Sequence, residues 1–348
     1  MSASDGPAVQ AAPARRRARV LALGIGILAS LLLLELGCQA FARMRVFPFL
    51  DALRASPRHY YRPAESPGLA YELAPGKVIR YPDRWLRINR WGIRHPDDDR
   101  AEGAWRIALL GDSVVFGIGH SQERTLSALL QGELDATGRR IRIFNFGLPG
   151  LNLAELVEQL RLKDALYDVH EVVYLLNPND LARRESIYEG ADNGLYRAYR
   201  RPRIASLFLA RKAVYRWMKN GSADRWYRWF WRGNEEWAQE QLRALAAYAG
   251  NAGAQLRVVL LPSGRSYTPD GYRLADVHRG LAELLREEGI AYLDPTELLA
   301  MQRARYFDAT DHLHDAGNAK LARILRTFLQ GQGVDRAVRP AAGASATP

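Results

Sequence analysis

The sequence predicts a three-layer α/β/α domain, a doubly wound parallel sheet, held behind a membrane-spanning N-terminal helix and interrupted by one helical insert. Three observations carry this. From Trp105 onward, short apolar runs alternate with segments of helical period, the pattern of a parallel sheet with crossover helices. The first of these runs, 107–110, stops abruptly at Gly111-Asp112-Ser113, as a strand does when it delivers a loop to the C-terminal edge of an open sheet. Far ahead of it, residues 20–42 carry a single charge, Glu35, and are preceded by Arg15, Arg16, Arg17 and Arg19.

A helix rising about 1.5 Å per residue over 20–42 spans a hydrocarbon layer of roughly 30 Å. Arginines on its N-terminal flank keep that end inside the cell. Residues 1–19 are therefore expected to be a disordered basic cytoplasmic tail, 20–42 a signal anchor in the cytoplasmic membrane, and the rest of the chain periplasmic or extracellular. Two competing readings share the same residues. Leu36-Gly37-Cys38 has the form of a lipoprotein processing site, which would lipidate Cys38, although Glu35 stands where that pattern wants an apolar residue. A cleaved signal peptide is the third reading. Cys38 is the only cysteine, so an intrachain disulfide and a cysteine metal site are both excluded.

Prolines at 48, 57, 63, 67, 75, 82 and 96 break any long element between 43 and 105, which is expected to be an extended lead-in wrapping the domain. The domain itself is placed at 106–331. Strands are expected at 107–111, 141–146, 171–176, 256–261 and 290–293. The helical segments are 125–134, stopped by Gly138; 153–166, opened by the Asn152-x-x-Glu155 capping pattern; and 235–250, 273–287 and 316–330. Within the insert, 181–234, the segment 181–232 carries thirteen Lys or Arg against four Asp or Glu, +9 of a formal net charge of +11, interleaved with Trp217, Trp226, Trp229 and Trp231. Basic residues among aromatics suit nucleic acid, but an exterior location argues against that partner. They also suit a membrane surface or an acidic glycan, or simply a solvated helical pair with its own small core. Residues 332–348 are expected to be a disordered tail.

Three loops leave C-terminal strand edges and would be brought together by such a sheet. One carries Ser113. The next, 145–150, ends in Gly150, where backbone can approach a ligand closely. The third, 177–180, places the Asn179 amide beside them. Near the C-terminus, Asp308, Asp311, His312, His314 and Asp315 form the richest cluster of titratable side chains in the chain. Acyl transfer needs a nucleophile, a base, a carboxylate to orient the base, and donors for an oxyanion. Ser113, a histidine from the 312/314 pair, a neighbouring aspartate, and the Ser113 and Gly150 N–H groups with the Asn179 amide supply that set. His-x-His-Asp also resembles part of a hydrolytic metal site, but the remaining histidines do not cluster, and no metal or organic cofactor is expected.

These four blocks, Gly-Asp-Ser113, the glycine block ending at Gly150, Asn177-Pro-Asn179-Asp180 and Asp311-His-Leu-His314 before a helix, resemble in kind and order the SGNH, or GDSL, hydrolase family. The resemblance covers 107–330. It implies Ser113 as nucleophile, Gly150 and Asn179 as oxyanion donors, and an Asp–His dyad as base. Asn177 departs from the family's usual glycine. The base stays open: the three-residue spacing of Asp311 and His314 matches the usual dyad, whereas the five positions from His312 to Gly317 favour His312 with Asp308 as orienter. Asn89-x-x-Gly92-Ile-Arg94 further resembles membrane-anchored bacterial members that act on the cell envelope. The expected function is a serine esterase removing O-acetyl or other O-acyl groups from envelope polysaccharide. The alternatives are an O-acyltransferase on envelope glycans, or a glycan-binding or assembly protein on the same fold.

Overall fold

A computed structural model describes residues 11–48, 56, 59–183, 203–221, 223–300, 306–308 and 312–331. The chain opens with helix α1, Ala11–Phe41, and continues through one turn of π-helix at Ala42–Val46. Residues 11–19, expected in the disordered tail, are therefore helical. Over Arg16–Val46 this helix is long and apolar enough to cross a membrane, and none of its apolar stretch is buried. Leu28 and Leu33 are each more than two-thirds exposed, so nothing in the described chain covers this surface.

Next come two antiparallel pairs, β1 (Tyr61–Pro63) with β2 (Tyr71–Leu73) and β3 (Val78–Arg80) with β4 (Trp85–Arg87). The lead-in is thus not merely extended: Leu69, Tyr71, Leu73, Ile79, Leu86, Ile88 and Ile93 are buried in the core.

The domain proper runs β5 (Trp105–Gly111), α2 (Ser113–Phe116), α3 (Leu126–Asp135), β6 (Ile141–Gly147), α4 (Leu153–Tyr167), β7 (Glu171–Leu176), α5 (Ala205–Gly221), α6 (Ala223–Asn251), β8 (Gln255–Leu260), the short β9 (Tyr267–Thr268) and β10 (Gly271–Tyr272), α7 (Ala275–Glu287), β11 (Ala291–Leu293), α8 (Thr296–Ala300) and α9 (Asp315–Gly331). Five strands form one parallel sheet in the order β11-β8-β7-β5-β6. Alternation along β5 builds two cores: Ala108 and Leu110 join the cluster under α4, α6 and the lead-in, while Ile107 and Leu109 join the cluster under α3 and α9. Burial of Ile107, Leu109 and Leu110 contributes about 1.5–3 kcal/mol each. The chain leaves β5 for β6 on one side and returns past β5 to β7 on the other. The strand order therefore reverses beside Ser113, where open α/β sheets leave a crevice.

Helix α4 opens with the expected capping box, Asn152 accepting from the Glu155 N–H and Glu155 accepting from the Asn152 N–H. Helix α6 is kinked at the expected boundary, where Asn234 has non-helical backbone (φ −136, ψ 18) and its side-chain amide donates to the Leu181 carbonyl at 3.0 Å. Trp226, Tyr227 and Phe230 are buried, and Trp229 and Trp231 are half-buried against the same cluster. Past the kink, Ala238, Leu242, Leu245 and Ala249 join the same cluster, so these aromatics belong to the main core rather than to a free aromatic surface. Of the four insert tryptophans named from sequence, only Trp217 is exposed, at 76%. The stretches 184–202 and 332–348 lie outside the described residues.

Candidate active site

Strand β5 ends at Gly111, where an added Cβ would lie 2.6 Å from Val115 Cγ2 and 3.1 Å from the Leu175 carbonyl. Only glycine fits so tight an exit. Asp112 then caps α2 by accepting the Val114 N–H at 3.1 Å, which sets Ser113 as the first residue of the helix. On β6, an added Cβ at Gly147 would sit 2.2 Å from the Phe116 nitrogen, so the β6 edge and the Ser113 helix touch through backbone. Buried Asn145 reinforces that contact by donating to the Val115 carbonyl at 2.7 Å and to Ser127 Oγ at 3.0 Å.

Around Ser113 the groups predicted from sequence converge in part. The His312 imidazole Nε2 lies 2.9 Å from Ser113 Oγ. Asp308 accepts the His312 N–H at 2.9 Å through one carboxylate oxygen and holds the other 3.9 Å from Nδ1, close for an ion pair and long for a hydrogen bond. Asn179 Nδ2 donates to Asp112 Oδ2 at 2.9 Å, the same oxygen that lies 3.2 Å from Ser113 Oγ. The Asn179 turn is itself pinned: Asp180 Oδ2 accepts from the Asn177 N–H at 3.0 Å and the Tyr174 hydroxyl at 2.8 Å. Burial first, and the adjacent Asp180 carboxylate next, push the Tyr174 phenol far up, so it stays a donor at any ordinary pH. Gly150 adopts φ +77, in the left-handed region, and the Tyr71 hydroxyl from the lead-in donates to the preceding Pro149 carbonyl at 2.6 Å.

The two candidate histidines part here. Leu313 pairs with Phe307 in an isolated bridge and is buried, and the chain turns directly into α9. His314 becomes the residue that starts that helix, its carbonyl accepting from Asn318 at 2.9 Å and its N–H donating to the Tyr306 carbonyl at 2.7 Å. Its side chain faces solvent. The His314–Asp311 pairing favoured by spacing thus does not supply the ring at Ser113, and Asp311 lies outside the described residues. Among the described residues no group of three His, Cys, Asp or Glu side chains could hold a metal ion.

Two residues that sequence reasoning gave no such part surround this arrangement. Arg94, 1% exposed, donates to the carbonyls of Phe116 (3.0 Å), Gly117 (2.6 Å) and His120 (2.7 Å), clamping the loop that follows the Ser113 helix. Burial lowers its pKa to about 10, which leaves it a cation at neutral pH. His120 then bridges to the histidine loop: Nε2 lies 2.7 Å from the Leu313 carbonyl and Nδ1 lies 2.7 Å from Asp315 Oδ1. Asp315 also accepts from Arg124, and although partial burial opposes it, hydrogen bonds from His120 and Arg124 hold its carboxyl below the usual range. Only the Asn89-x-x-Gly92-Ile-Arg94 pattern signalled the clamp, and nothing local to His120 signalled the bridge.

Arg94→Ala would leave three loop carbonyls without their buried cation, at about 1–3 kcal/mol for each unsatisfied group. The melting temperature of the full chain is expected to fall by several degrees and ester turnover with it. Arg94→Lys is expected to restore little, because one ammonium cannot span three acceptors that a planar fork reaches. A variant melting like the unmodified protein would show the clamp to be dispensable.

The GDSL-like lipase/acylhydrolase family model matches residues 109–320, more than half of the chain. No curated protein matches. Among solved structures, TesA is 18% identical at a TM-score of 0.43, covering 65% of this chain and 98% of its own. The lipase/acylhydrolase from Enterococcus faecalis is 16% identical at 0.43, covering 68% and 99% respectively. The psychrotrophic esterase EstA from Pseudoalteromonas sp. is 15% identical at 0.42, covering 67% and 100%. With its Gly-Asp-Ser edge, its five-stranded parallel sheet and this family match over residues 109–320, the chain belongs to the GDSL-like lipase/acylhydrolase family.

Proposed function

We propose that the protein is a membrane-anchored serine ester hydrolase, acting outside the cytoplasmic membrane on O-acyl, principally O-acetyl, groups of cell-envelope polysaccharide. The observation that carries the chemistry is the 2.9 Å approach of His312 Nε2 to Ser113 Oγ at the strand-order reversal. In this reading Asp308 keeps the Nδ1 proton of His312 turned toward itself, so Nε2 is the unprotonated face that takes the Ser113 proton. Ser113 Oγ attacks the ester carbonyl and its C–O bond forms as the carbonyl π-electrons move onto oxygen. The oxyanion is met by the N–H groups of Ser113 and Gly150 and by the Asn179 amide, whose other N–H is spent on Asp112. Collapse expels the alcohol, which takes its proton from His312. Water, deprotonated by the same ring, then frees the acid from the acyl-enzyme.

The envelope substrate is supported by the apolar helix ahead of the domain and by the Asn89-to-Arg94 pattern, whose arginine here braces the catalytic loop. With its N-terminus inside, α1 would put the domain in reach of envelope glycans and out of reach of cytosolic solutes.

The test is labelling of the purified full chain with a fluorophosphonate probe, together with acetate release from O-acetylated polysaccharide. Labelling with release supports the reading; labelling without release would leave the esterase and replace the substrate; absence of both would overturn it. Asn179→Ala and Gly150→Val each disturb one oxyanion donor, the second also by forcing a β-branched residue into the left-handed region. Each is expected to lower kcat about a hundredfold with a smaller change in KM. A change confined to KM would make these groups substrate binders instead.

A further inference from the structure

The only charge within 20–42 is Glu35, and the esterase mechanism gives it no task. Its carboxylate is fully engaged elsewhere. It accepts the Ala205 N–H at 2.7 Å, the Ser206 N–H at 3.0 Å and the Ser206 hydroxyl at 2.5 Å, which are the first donors of α5. Gln39, one turn further along α1, donates to Glu35 at 2.8 Å and to the Arg203 carbonyl at 2.9 Å. Helices ordinarily take their N-terminal cap from the side chain of the residue before them, but here that residue is Ile204, whose side chain has no acceptor to offer. The anchor supplies the cap instead, so the start of α5 is tied to α1 six residues before Phe41. At about 1.5 Å per residue, this point lies roughly 10 Å from Ala42, where the apolar run gives way to Arg43, a depth that an interfacial helix reaches.

From that tie, α5 and the residue before it carry an exposed apolar stripe, crossed midway by Arg211. Ile204, Leu207, Val214 and Trp217 are 54%, 43%, 38% and 76% exposed and recur at helical spacing. Ala205 and Phe208, on the flank turned toward the protein, are buried. Lys212 lies along the flank with its ammonium 5.8 Å from the Phe208 ring, a stem on apolar surface and a head free to reach outward. The surrounding segment, 181–232, carries thirteen basic residues against four acidic ones. An apolar stripe ending in tryptophan, basic surroundings and a junction at the end of a spanning helix are the attributes of a helix that lies in the plane of an anionic lipid surface.

We propose that α5 is an interfacial membrane helix, latched to the anchor through Glu35, with Ile204, Leu207, Val214 and Trp217 immersed at the boundary between headgroups and acyl chains. The lipid leaflet, not a protein, covers the stripe, because α1 enters that leaflet at the point from which α5 departs. This goes beyond the esterase reading and rests only on its anchor. It also orients the active edge. Helix α6 follows α5 directly, and its Asn234 holds the Leu181 carbonyl at the end of the Asn179 turn. Seating α5 on the bilayer therefore fixes the height and tilt of the site above it.

The test uses the full chain with Cys38→Ser, reconstituted into vesicles of phosphatidylcholine and phosphatidylglycerol, with a nitroxide placed in turn at Leu207→Cys, Val214→Cys and Trp217→Cys. Leu31→Cys reports on the anchor and Lys77→Cys on an exposed loop. Relaxation by lipid-soluble oxygen is expected to exceed that by a water-soluble nickel chelate several-fold at the three α5 positions and at Leu31, and to reverse at Lys77. Glu35→Ala is expected to sharpen the α5 spectra as the latch is lost, with turnover of a soluble ester unchanged. Lipid-like behaviour at Leu31 with water-like behaviour at all three α5 positions would overturn the interfacial helix and leave the anchor standing. Water-like behaviour at Leu31 as well would overturn both. Unchanged α5 spectra in Glu35→Ala would overturn the latch.

Discussion

Ser113→Ala is expected to abolish fluorophosphonate labelling and to lower ester turnover about a thousandfold or more, while the chain stays folded. The size follows from chemistry: without its Oγ the site has no atom to carry the acyl group, and only oxyanion donors and binding remain to act on direct attack by water. The fold should survive because Ser113 is held by backbone. Its position is set by the Gly111 exit, the Asp112 cap and the Gly147 contact with Phe116, none of which uses the hydroxyl. The hydroxyl's own partners, His312 and Asp112, keep other bonds when it is removed: the His312 N–H to Asp308, and Asp112 to Val114 and Asn179. Circular dichroism and melting should therefore match the unmodified protein, and p-nitrophenyl acetate turnover provides the rate. Turnover that stays within about tenfold, a loss of only ~1.4 kcal/mol in transition-state stabilisation, would remove Ser113 from the mechanism.

The sheet was legible because both faces of its central strands are covered. A strand buried on both sides reads as an unbroken apolar run between polar turns, and β5, β6, β7, β8 and β11 lie within two residues of where those runs stand in the sequence. The three loops that meet at Ser113 follow from that reading, since parallel strands leave all their C-terminal ends on one edge. What escaped notice depends on contacts across long stretches of chain. The strands of the lead-in are only three residues each, too short to show alternation, and the prolines around them speak for breakage rather than pairing. His120 meets Asp315 at a separation of 195 positions, and no local pattern encodes such a contact. The insert left a packed helical pair and an aromatic surface both open, for a different reason. Arginines and tryptophans interleave in its sequence, but on a helix of 3.6 residues per turn the aromatics of α6 collect on one buried face, and the arginines fall outside it.

Replacing the two histidines should separate their parts most sharply. His312→Ala is expected to cost about a thousandfold in kcat, since the serine then has no base to take its proton and the leaving alcohol has no acid to protonate it. His314→Ala is expected to leave hydrolysis close to that of the unmodified enzyme. Its ring faces solvent, and its structural contributions, an N–H to the Tyr306 carbonyl and a carbonyl to Asn318, are main-chain groups that alanine retains. Two features of the sequence pulled in opposite directions here. The three-residue spacing of Asp311 and His314 suits a dyad within a turn, while the five positions to Gly317 place His312 in register with the helix. Geometry favours the second, because an added Cβ at Gly317 would lie 2.3 Å from the Tyr306 carbonyl. That contact fixes the start of α9 against the segment carrying Asp308, and His312 is left on the stretch facing Ser113. Asp308→Asn gives an independent check. It keeps an oxygen for the His312 N–H and replaces the carboxylate facing Nδ1 with a neutral amide, so kcat should fall by more than tenfold at little cost in melting temperature. If His314→Ala is inactive while His312→Ala turns over normally, the base is His314 and the 2.9 Å contact at Ser113 serves only to hold the serine in place.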